Sequence, residues 1–237
     1  MTSLPFTALA TDYDGTLARH GETAASTRSA LRRFRAAGGV PILVTGREIP
    51  DLQRVFDGMD LFDIVVAENG ALLHWPATGH EQLLGPTPEP SFVRALQSRG
   101  VAPLSIGRVI VATSEPHEVE AAELIRELGL ERQVILNKGS VMILPTGIDK
   151  ATGLAAALKE LHLPASAVAG VGDAENDLPL MSYCGLGVAV QNAIPSLKAN
   201  ADLVLTQSHG AGVVELLERM LDGSLSAVAR RDRSVIE

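Results

Sequence analysis

The sequence predicts an α/β protein, with a doubly wound parallel-sheet core interrupted by an inserted α+β domain. Three observations carry that expectation. Short apolar runs alternate with helical patterns at both ends of the 237-residue chain, as repeated strand–helix–strand units do when they build a parallel sheet covered on both faces. Between about residues 77 and 145 the pattern changes to helices mixed with hairpin-joined strands, which belong to antiparallel pairing. Aspartates and small polar residues gather where the core strands are expected to end.

The elements follow in chain order. Residues 7–11 read as a strand, and residues 26–37 as a helix with Ala30, Leu31, Phe34 and Ala37 on one face. Gly38 and Gly39 end that helix. A second strand is expected over 40–45, a helix over 50–56 and a third strand over 63–67. After the insertion come a helix over 149–161, a strand over 168–172 and a short helix over 177–181. An apolar run at 186–190, a helix at 194–199, a strand at 202–205 and a helix at 211–221 complete the core. Within the insertion, helices are expected over 90–99 and 118–128. The second has Ala121, Leu124, Ile125 and Leu128 at i, i+3, i+4 and i+7 and is closed by Gly129. A strand is expected over 109–113, and strands over 133–136 and 141–144 are joined by Asn137-Lys138-Gly139-Ser140, which reads as a hairpin turn. The division expected is a core of residues 1–76 and 146–237 around an insertion of residues 77–145. The tail beyond Asp222, with Gly223, several serines and Arg230-Arg231-Asp232-Arg233, reads as loosely ordered or as a linker.

Composition narrows the function. Aromatic residues are only 3% of the chain, so Leu, Val, Ile and Ala must fill the core. The net charge of −8, spread along the chain, argues against a general affinity for nucleic acid or an anionic membrane. Cys184 is the single cysteine, which excludes an internal disulfide and a Cys-rich zinc site. It is expected as a small buried hydrophobe. His20, His74, His80, His162 and His209 show no metal-ligand spacing. No signal peptide is expected, because the apolar stretch at residues 4–10 is short, carries Pro5 and runs into Asp12. Nor does any run approach the roughly 20 apolar residues that span a bilayer. A soluble, cytoplasmic protein is the expectation.

Three strands are expected to deliver Asp12, Asp14, Thr45, Asp173, Asn176 and Asp177 to one edge, and open α/β sheets bind ligands at the carboxyl ends of their strands. Carboxylates gathered there repel one another: two unit charges ~4 Å apart cost about 4 kcal/mol at an effective dielectric near 20. A divalent cation offsets that cost, and an all-oxygen set suits Mg2+ better than zinc. Each aspartate alone is also a common turn residue; it is the set that implies a metal. Lys150 adds a separate signal. It follows the expected N-cap Asp149, where a cation opposes the helix dipole. A helix N-terminus with a lysine suits a phosphate.

The segments DYDGTL, TGR at Thr45, Lys150 before its helix and GDAENDLPL, in this order, resemble the four motifs of the haloacid dehalogenase (HAD) superfamily of phosphatases. The long insertion after Glu68-Asn69-Gly70-Ala71, rejoining through ILPTGIDKATGL, resembles the type II cap of the Cof-like, sugar-phosphatase branch. Its size is similar to that of the archaeal-type phosphoglycolate phosphatases. The resemblance implies a HAD-like core in which Asp12 is the nucleophile, forming an aspartyl-phosphate, and Asp14 the general acid and base. Dehalogenase members lack this second aspartate, so Asp14 implies phosphate-ester chemistry. Thr45, Gly46 and Lys150 would hold the phosphoryl oxygens. Magnesium would bind Asp12, the backbone carbonyl of Asp14, and Asp173, with Asp177 as ligand or close partner. Asn176 would orient the phosphate or the metal shell, and Gly15 would permit the tight turn beside the phosphate.

Weaker expectations attach to Arg47, either a substrate contact or a loop anchor, and to Glu68 and Asn69, which would touch the ligand or cap a turn. Arg108, His117 and Lys138 of the insertion are polar groups able to reach toward the core, and Trp75 is expected to pack. The substrate implied is a small phosphorylated metabolite: phosphoglycolate, a sugar phosphate or a related phospho-acid. Two rivals predict different behaviour. A phosphotransferase or mutase would pass the phosphoryl group to a sugar, and a phosphorylatable signalling module would keep a stable aspartyl-phosphate.

Overall fold

A computed structural model describes residues 6–227. The start of the apolar stretch at residue 4, and the tail from residue 228 on, lie outside the described residues. The first half of the core contains β1 (Ala8–Thr11), α1 (Ala25–Ala36), β2 (Val40–Val44), α2 (Ile49–Val55), β3 (Ile64–Ala67), β4 (Leu72–Trp75) and β5 (His80–Leu83). Next come α3 (Pro90–Ser98), β6 (Ser105–Ile106), β7 (Val111–Ser114), α4 (Glu118–Glu127), β8 (Arg132–Asn137) and β9 (Ser140–Pro145). The chain then returns through α5 (Lys150–Glu160), β10 (Val168–Gly172), α6 (Leu178–Tyr183), β11 (Leu186–Ala189), α7 (Pro195–Asn200), β12 (Leu203–Val204) and α8 (His209–Leu221). Ser224–Ala227 form a closing 3₁₀ turn. Among the described residues no helix is long and apolar enough to cross a membrane.

The core sheet has eight strands in the order β12-β11-β10-β1-β2-β3-β4-β5. Winding proceeds outward from β1 through β2 and β3, and after the insertion resumes on the other side of β1 with β10. That reversal makes β1/β10 the switch point, where α/β sheets open a ligand crevice. Strands β12 to β3 are parallel, and Thr11 stands opposite both Val171 and Leu43, so the residues after these strands emerge at one edge. Alternation along β1 explains the two layers. Leu9 packs with Phe34 and Leu216 on the side of α1 and α8, whereas Ala8 and Ala10 pack with Leu154, Leu158 and Leu180 on the side of α5 and α6. Cys184 is buried in the second layer, as expected.

The sheet extends further than the sequence implied. At residues 68–70 the backbone turns through positive φ (54° at Asn69, 107° at Gly70). The chain reverses there, and β4 pairs antiparallel with β3. Strand β5, whose residues 80–83 were expected in the insertion, pairs with β4 and is the edge strand of the core sheet.

The inserted unit has its own antiparallel sheet, β6-β7-β9-β8. Phe92, Leu96, Ala121 and Leu124 of α3 and α4 cover one face, with Val111 and Ile143 from the strands beneath. The opposite pleat, Met142 and Leu144, packs with Val109, Ile110 and the core residue Ala71. Leu128, expected on the buried face of α4, is instead 43% exposed because it falls on the C-cap, where the helix ends. The β8–β9 turn has two residues, with Asn137 paired to Ser140 and positive φ at Lys138 (47°) and Gly139 (80°), the geometry favoured where strand twist must be matched.

Outgoing and returning linkers run side by side. A Cβ on Gly85 would come within 2.6 Å of Ile148 and 3.0 Å of Pro145. The Gln133 amide donates to the carbonyls of Pro145 (3.3 Å) and Ile148 (2.9 Å). Buried Arg132 donates to Glu89 (2.8 Å) and to the carbonyls of Thr87 and Val109.

Candidate active site

After Thr11 the chain keeps its alternation for two more residues. Tyr13 points into the core, where its hydroxyl donates to the Gly21 carbonyl (2.8 Å). Asp12 and Asp14 therefore face the other way and line a cavity of about 340 Å³ between the core and the inserted sheet. The loop closes on itself, with the Ala18 N–H donating to the Tyr13 carbonyl (2.8 Å) and the Gly15 N–H to the Ala18 carbonyl (3.0 Å).

Lys150 reaches this place from the first turn of α5. The Asp149 carboxylate caps that helix by accepting the Thr152 N–H (2.9 Å), and the Thr152 hydroxyl accepts the Asp149 N–H (2.9 Å). Close approach of the helix to the 68–70 turn needs two glycines. A Cβ on Gly70 would come within 1.9 Å of the Asp149 carbonyl oxygen, and one on Gly153 within 2.5 Å of Gly70 Cα. The Lys150 side chain is 1% exposed, and its Nζ donates to Asp12 Oδ1 and Asp177 Oδ1, both at 2.6 Å. Asp177 uses its other oxygen to accept the N–H groups of Asp173 (2.9 Å) and Ala174 (3.0 Å). Asp12 Oδ2 accepts no hydrogen bond from the described residues.

These contacts set the charge states. Burial and the nearby Asp177 push the Asp12 carboxyl up to about 7, although Lys150 opposes them. Burial alone would lower the Lys150 ammonium, but Asp12 and Asp177 outweigh it and hold it protonated beyond the usual lysine range. Asp173 is also raised, chiefly by burial, with Lys138 pulling the other way. Its oxygens accept from Thr16 Oγ1 (3.2 Å), Lys138 Nζ (2.5 Å) and Asn192 Nδ2 (3.4 Å).

The comparisons with known proteins agree with this geometry. A family model described as haloacid dehalogenase-like hydrolase matches residues 9–85 and 97–217. The chain belongs to the haloacid dehalogenase-like hydrolases. A relative in Pyrobaculum aerophilum, named phosphoglycolate phosphatase, is 31% identical over 226 residues, covering 92% of this chain and 97% of its own. Another, named phosphoglycolate phosphatase 2, in Saccharolobus solfataricus, is 36% identical over 120 residues, about half of each chain (51% and 50%). The crystal structure of a haloacid dehalogenase-like hydrolase from Bacteroides thetaiotaomicron superposes with a TM-score of 0.79 at 19% identity, over 91% of this chain and 99% of that one; this likeness is one of fold. The superfamily resemblance expected from the four motifs, and the α/β core it implies, are therefore met.

In this haloacid dehalogenase-like site Asp12, Asp173 and Asp177 each offer a carboxylate oxygen, all within 4.8 Å of one another. An all-oxygen anionic set fits a hard divalent cation such as Mg2+. Two features support the fit: Asp12 Oδ2 is free, and Asp173 already holds a cation, the Lys138 ammonium. Both oxygens of Asp177 are engaged by buried Lys150 and two backbone N–H groups, whereas Asp12 keeps one oxygen free and the closest partner of Asp173 is the half-exposed Lys138. The Asp14 carboxylate stands outside this trio, held by Arg47 Nε (2.7 Å) and a second Arg47 N–H (2.8 Å). Arg47 also donates to Asp51 (2.5 Å) and lies over the Tyr13 ring.

Thr45 and Gly46 follow β2 at the same edge. The buried Thr45 hydroxyl accepts the Arg47 N–H (3.1 Å), which leaves its own proton uncommitted among the described residues. Asn176 lines the cavity and donates to Asn69 Oδ1 (3.0 Å). Their remaining polar atoms, Asn69 Nδ2 and Asn176 Oδ1, are buried without a partner among the described residues. Glu68, expected either to touch the ligand or to cap a turn, does not line the cavity. Its carboxylate accepts the N–H groups of Arg108 (2.8 Å), Val109 (2.8 Å) and Ile110 (2.9 Å), tying β3 to the inserted unit. Arg108 itself pairs with Glu81 and His117 lies by Glu120, so neither is drawn to the aspartates.

Three residues beside the nucleophile loop were not expected there from the sequence: Thr16, Asn192 and His209, the last considered only for metal-ligand spacing. Asn192 Nδ2 donates to the Gly15 carbonyl (2.8 Å), and His209 Nδ1 lies 2.8 Å from the same oxygen. Asn192 follows the strand β11, so the strand-end logic that found Asp12 also applies to it.

Proposed function

We propose that this chain, a phosphatase of the haloacid dehalogenase superfamily, is a magnesium-dependent phosphomonoesterase of small phosphorylated metabolites, working through an aspartyl-phosphate. The observation that carries the reading is the Lys150 bridge. It occupies one oxygen of Asp12 and leaves the other free beside a small cavity roofed by the inserted domain.

Asp12 Oδ2 attacks phosphorus, the new O–P bond forms and the ester P–O bond breaks in line with it. Asp14 gives a proton to the leaving oxygen. Water then attacks the phosphorus of the aspartyl-phosphate, passes a proton to Asp14 and releases inorganic phosphate, restoring Asp12. Lys150, the Thr45 hydroxyl and the Asn69–Asn176 pair supply donors to the phosphoryl oxygens as charge redistributes. Magnesium, when bound, would neutralise charge between Asp12, Asp173 and the phosphate. Arg47 pairs with the Asp14 carboxylate through two N–H groups, so donation to the leaving oxygen requires that pair to part. The relatives named phosphoglycolate phosphatase favour a short phospho-acid among the candidate substrates.

The test is phosphate release from a panel containing phosphoglycolate, sugar phosphates and ethyl phosphate, with and without Mg2+. Release should require Mg2+ and vanish in Asp12→Asn. Appreciable turnover by that variant would remove the nucleophile assignment, and transfer to an added sugar in preference to water would favour a phosphotransferase.

A further inference from the structure

We propose that Lys138 selects the leaving group: its ammonium, on the tip of the β8–β9 hairpin, takes the carboxylate of a short phospho-acid whose phosphate sits on Asp12. This rests on the phosphatase reading and adds the substrate class to it.

The hairpin gives Lys138 a fixed base. Both turn residues sit at positive φ, where Asn, Asp or Gly is usual and a lysine is not. The side chain kept there crosses from the inserted unit to the core, placing Nζ 2.5 Å from Asp173 Oδ2. A Cβ on Gly15 would meet that Nζ at 2.9 Å, so the ammonium lies in the nucleophile loop. The other residues of the insertion that wall the cavity are Ala112, Asn137, Ser140 and Met142, all uncharged. Arg47, on the core side, is occupied by Asp14 and Asp51.

Lys138, by contrast, has Asp173 as its one ion-pair partner among the described residues, and its side chain is 44% exposed. Asp173 is also one of the three carboxylates of the metal trio. A divalent cation held there would compete with the ammonium for Asp173 and would release Lys138 toward the cavity it lines. The phosphate end of a substrate lies against Lys150 and Asp12, which leaves the remainder of the molecule under the inserted sheet. There a sugar presents neutral hydroxyls, whereas a phospho-acid presents the carboxylate that completes a charge-assisted pair.

Lys138→Met and Lys138→Asn test this, the second placing at the turn a residue at ease with positive φ. Calorimetry in Mg2+ compares 3-phosphonopropionate, a non-hydrolysable phospho-acid mimic, with propylphosphonate, which has the same length and no carboxylate. The wild-type protein should prefer the first by about tenfold to a hundredfold, and both variants should lose that preference. The ratio of kcat/KM for phosphoglycolate to that for ethyl phosphate should fall by the same factor. Mg2+ alone should bind more tightly to both variants, because the competing ammonium is gone. A wild type without preference, or variants that keep it, overturns the proposal. A wild type that hydrolyses neither ester counts against the phosphatase reading alone, since the phosphonate preference is measured without chemistry.

Discussion

Lys150 is enclosed by Asp12 and Asp177, and taking away its charge strands two buried carboxylates. Lys150→Met should therefore cost about 3–5 kcal/mol in denaturant unfolding of the metal-free protein, with part regained on adding Mg2+; a loss below that range would mean the bridge is weaker than its geometry implies. Asp12 makes a pH-dependent contribution of known sign. Its carboxyl titrates near 7 when folded, against an ordinary 3.8, so between those values the folded protein keeps a proton that the unfolded chain has lost. The group thus supports stability fully below pH ~3.8 and loses that support as pH rises through about 7. Metal-free wild-type protein should lose thermal stability relative to Asp12→Asn over this window, and saturating Mg2+ should flatten the wild-type slope; parallel pH profiles would exclude the assignment. Asp12 and Asp173 were legible because carboxylates gathered at the ends of several strands repel one another, and Lys150 because a cation in a first helical turn opposes the helix dipole. Glu68 was not: its position resembles that of a ligand contact, and only the positive φ of 51° at that residue turns its carboxylate onto three amides.

Those three amides join two elements that are far apart in sequence. Glu68→Gln removes the charge and sets an NH2 group against one or more N–H donors. We expect it to cost about 2–3 kcal/mol and to accelerate hydrogen exchange at Arg108, Val109 and Ile110 selectively; unchanged exchange there would show that the clasp does not hold the insertion. Most core strands and helices were legible within a residue or two, since uniform burial of β1, β3, β10 and β11 leaves continuous apolar runs. The β8–β9 turn was legible from Lys138-Gly139. Strands β5 and β6 were not. His80–Leu83 alternates between exposed and half-buried, and Ser105–Ile106 is two exposed residues, so neither carries a hydrophobic period. Strand β4 is buried along most of its length without alternation, and its antiparallel return depends on the turn at residues 68–70, whose backbone angles the residue types alone do not specify.

A cation bound only by the folded protein shifts its unfolding equilibrium as a whole. At a hundredfold excess over its dissociation constant Mg2+ should add about 2.7 kcal/mol, read as a rise in the unfolding midpoint, and Asp173→Asn should abolish most of that rise. A midpoint that ignores Mg2+ would exclude tight binding by the folded protein, and a rise kept in Asp173→Asn would place the cation elsewhere. At this scale the order of strands and the side of the sheet that bears the chemistry followed from the alternation of elements. The wall that faces the nucleophile did not, because it is assembled from β7, β9 and a hairpin tip that approach only through folding. The adjacent linkers at Gly85 and Ile148 carry a further consequence. Seen from the core, the inserted unit enters and leaves at a single stem, like a graft. A different lid with paired ends can be exchanged there without rethreading the sheet, so a lineage can change what it recognises while keeping how it cleaves.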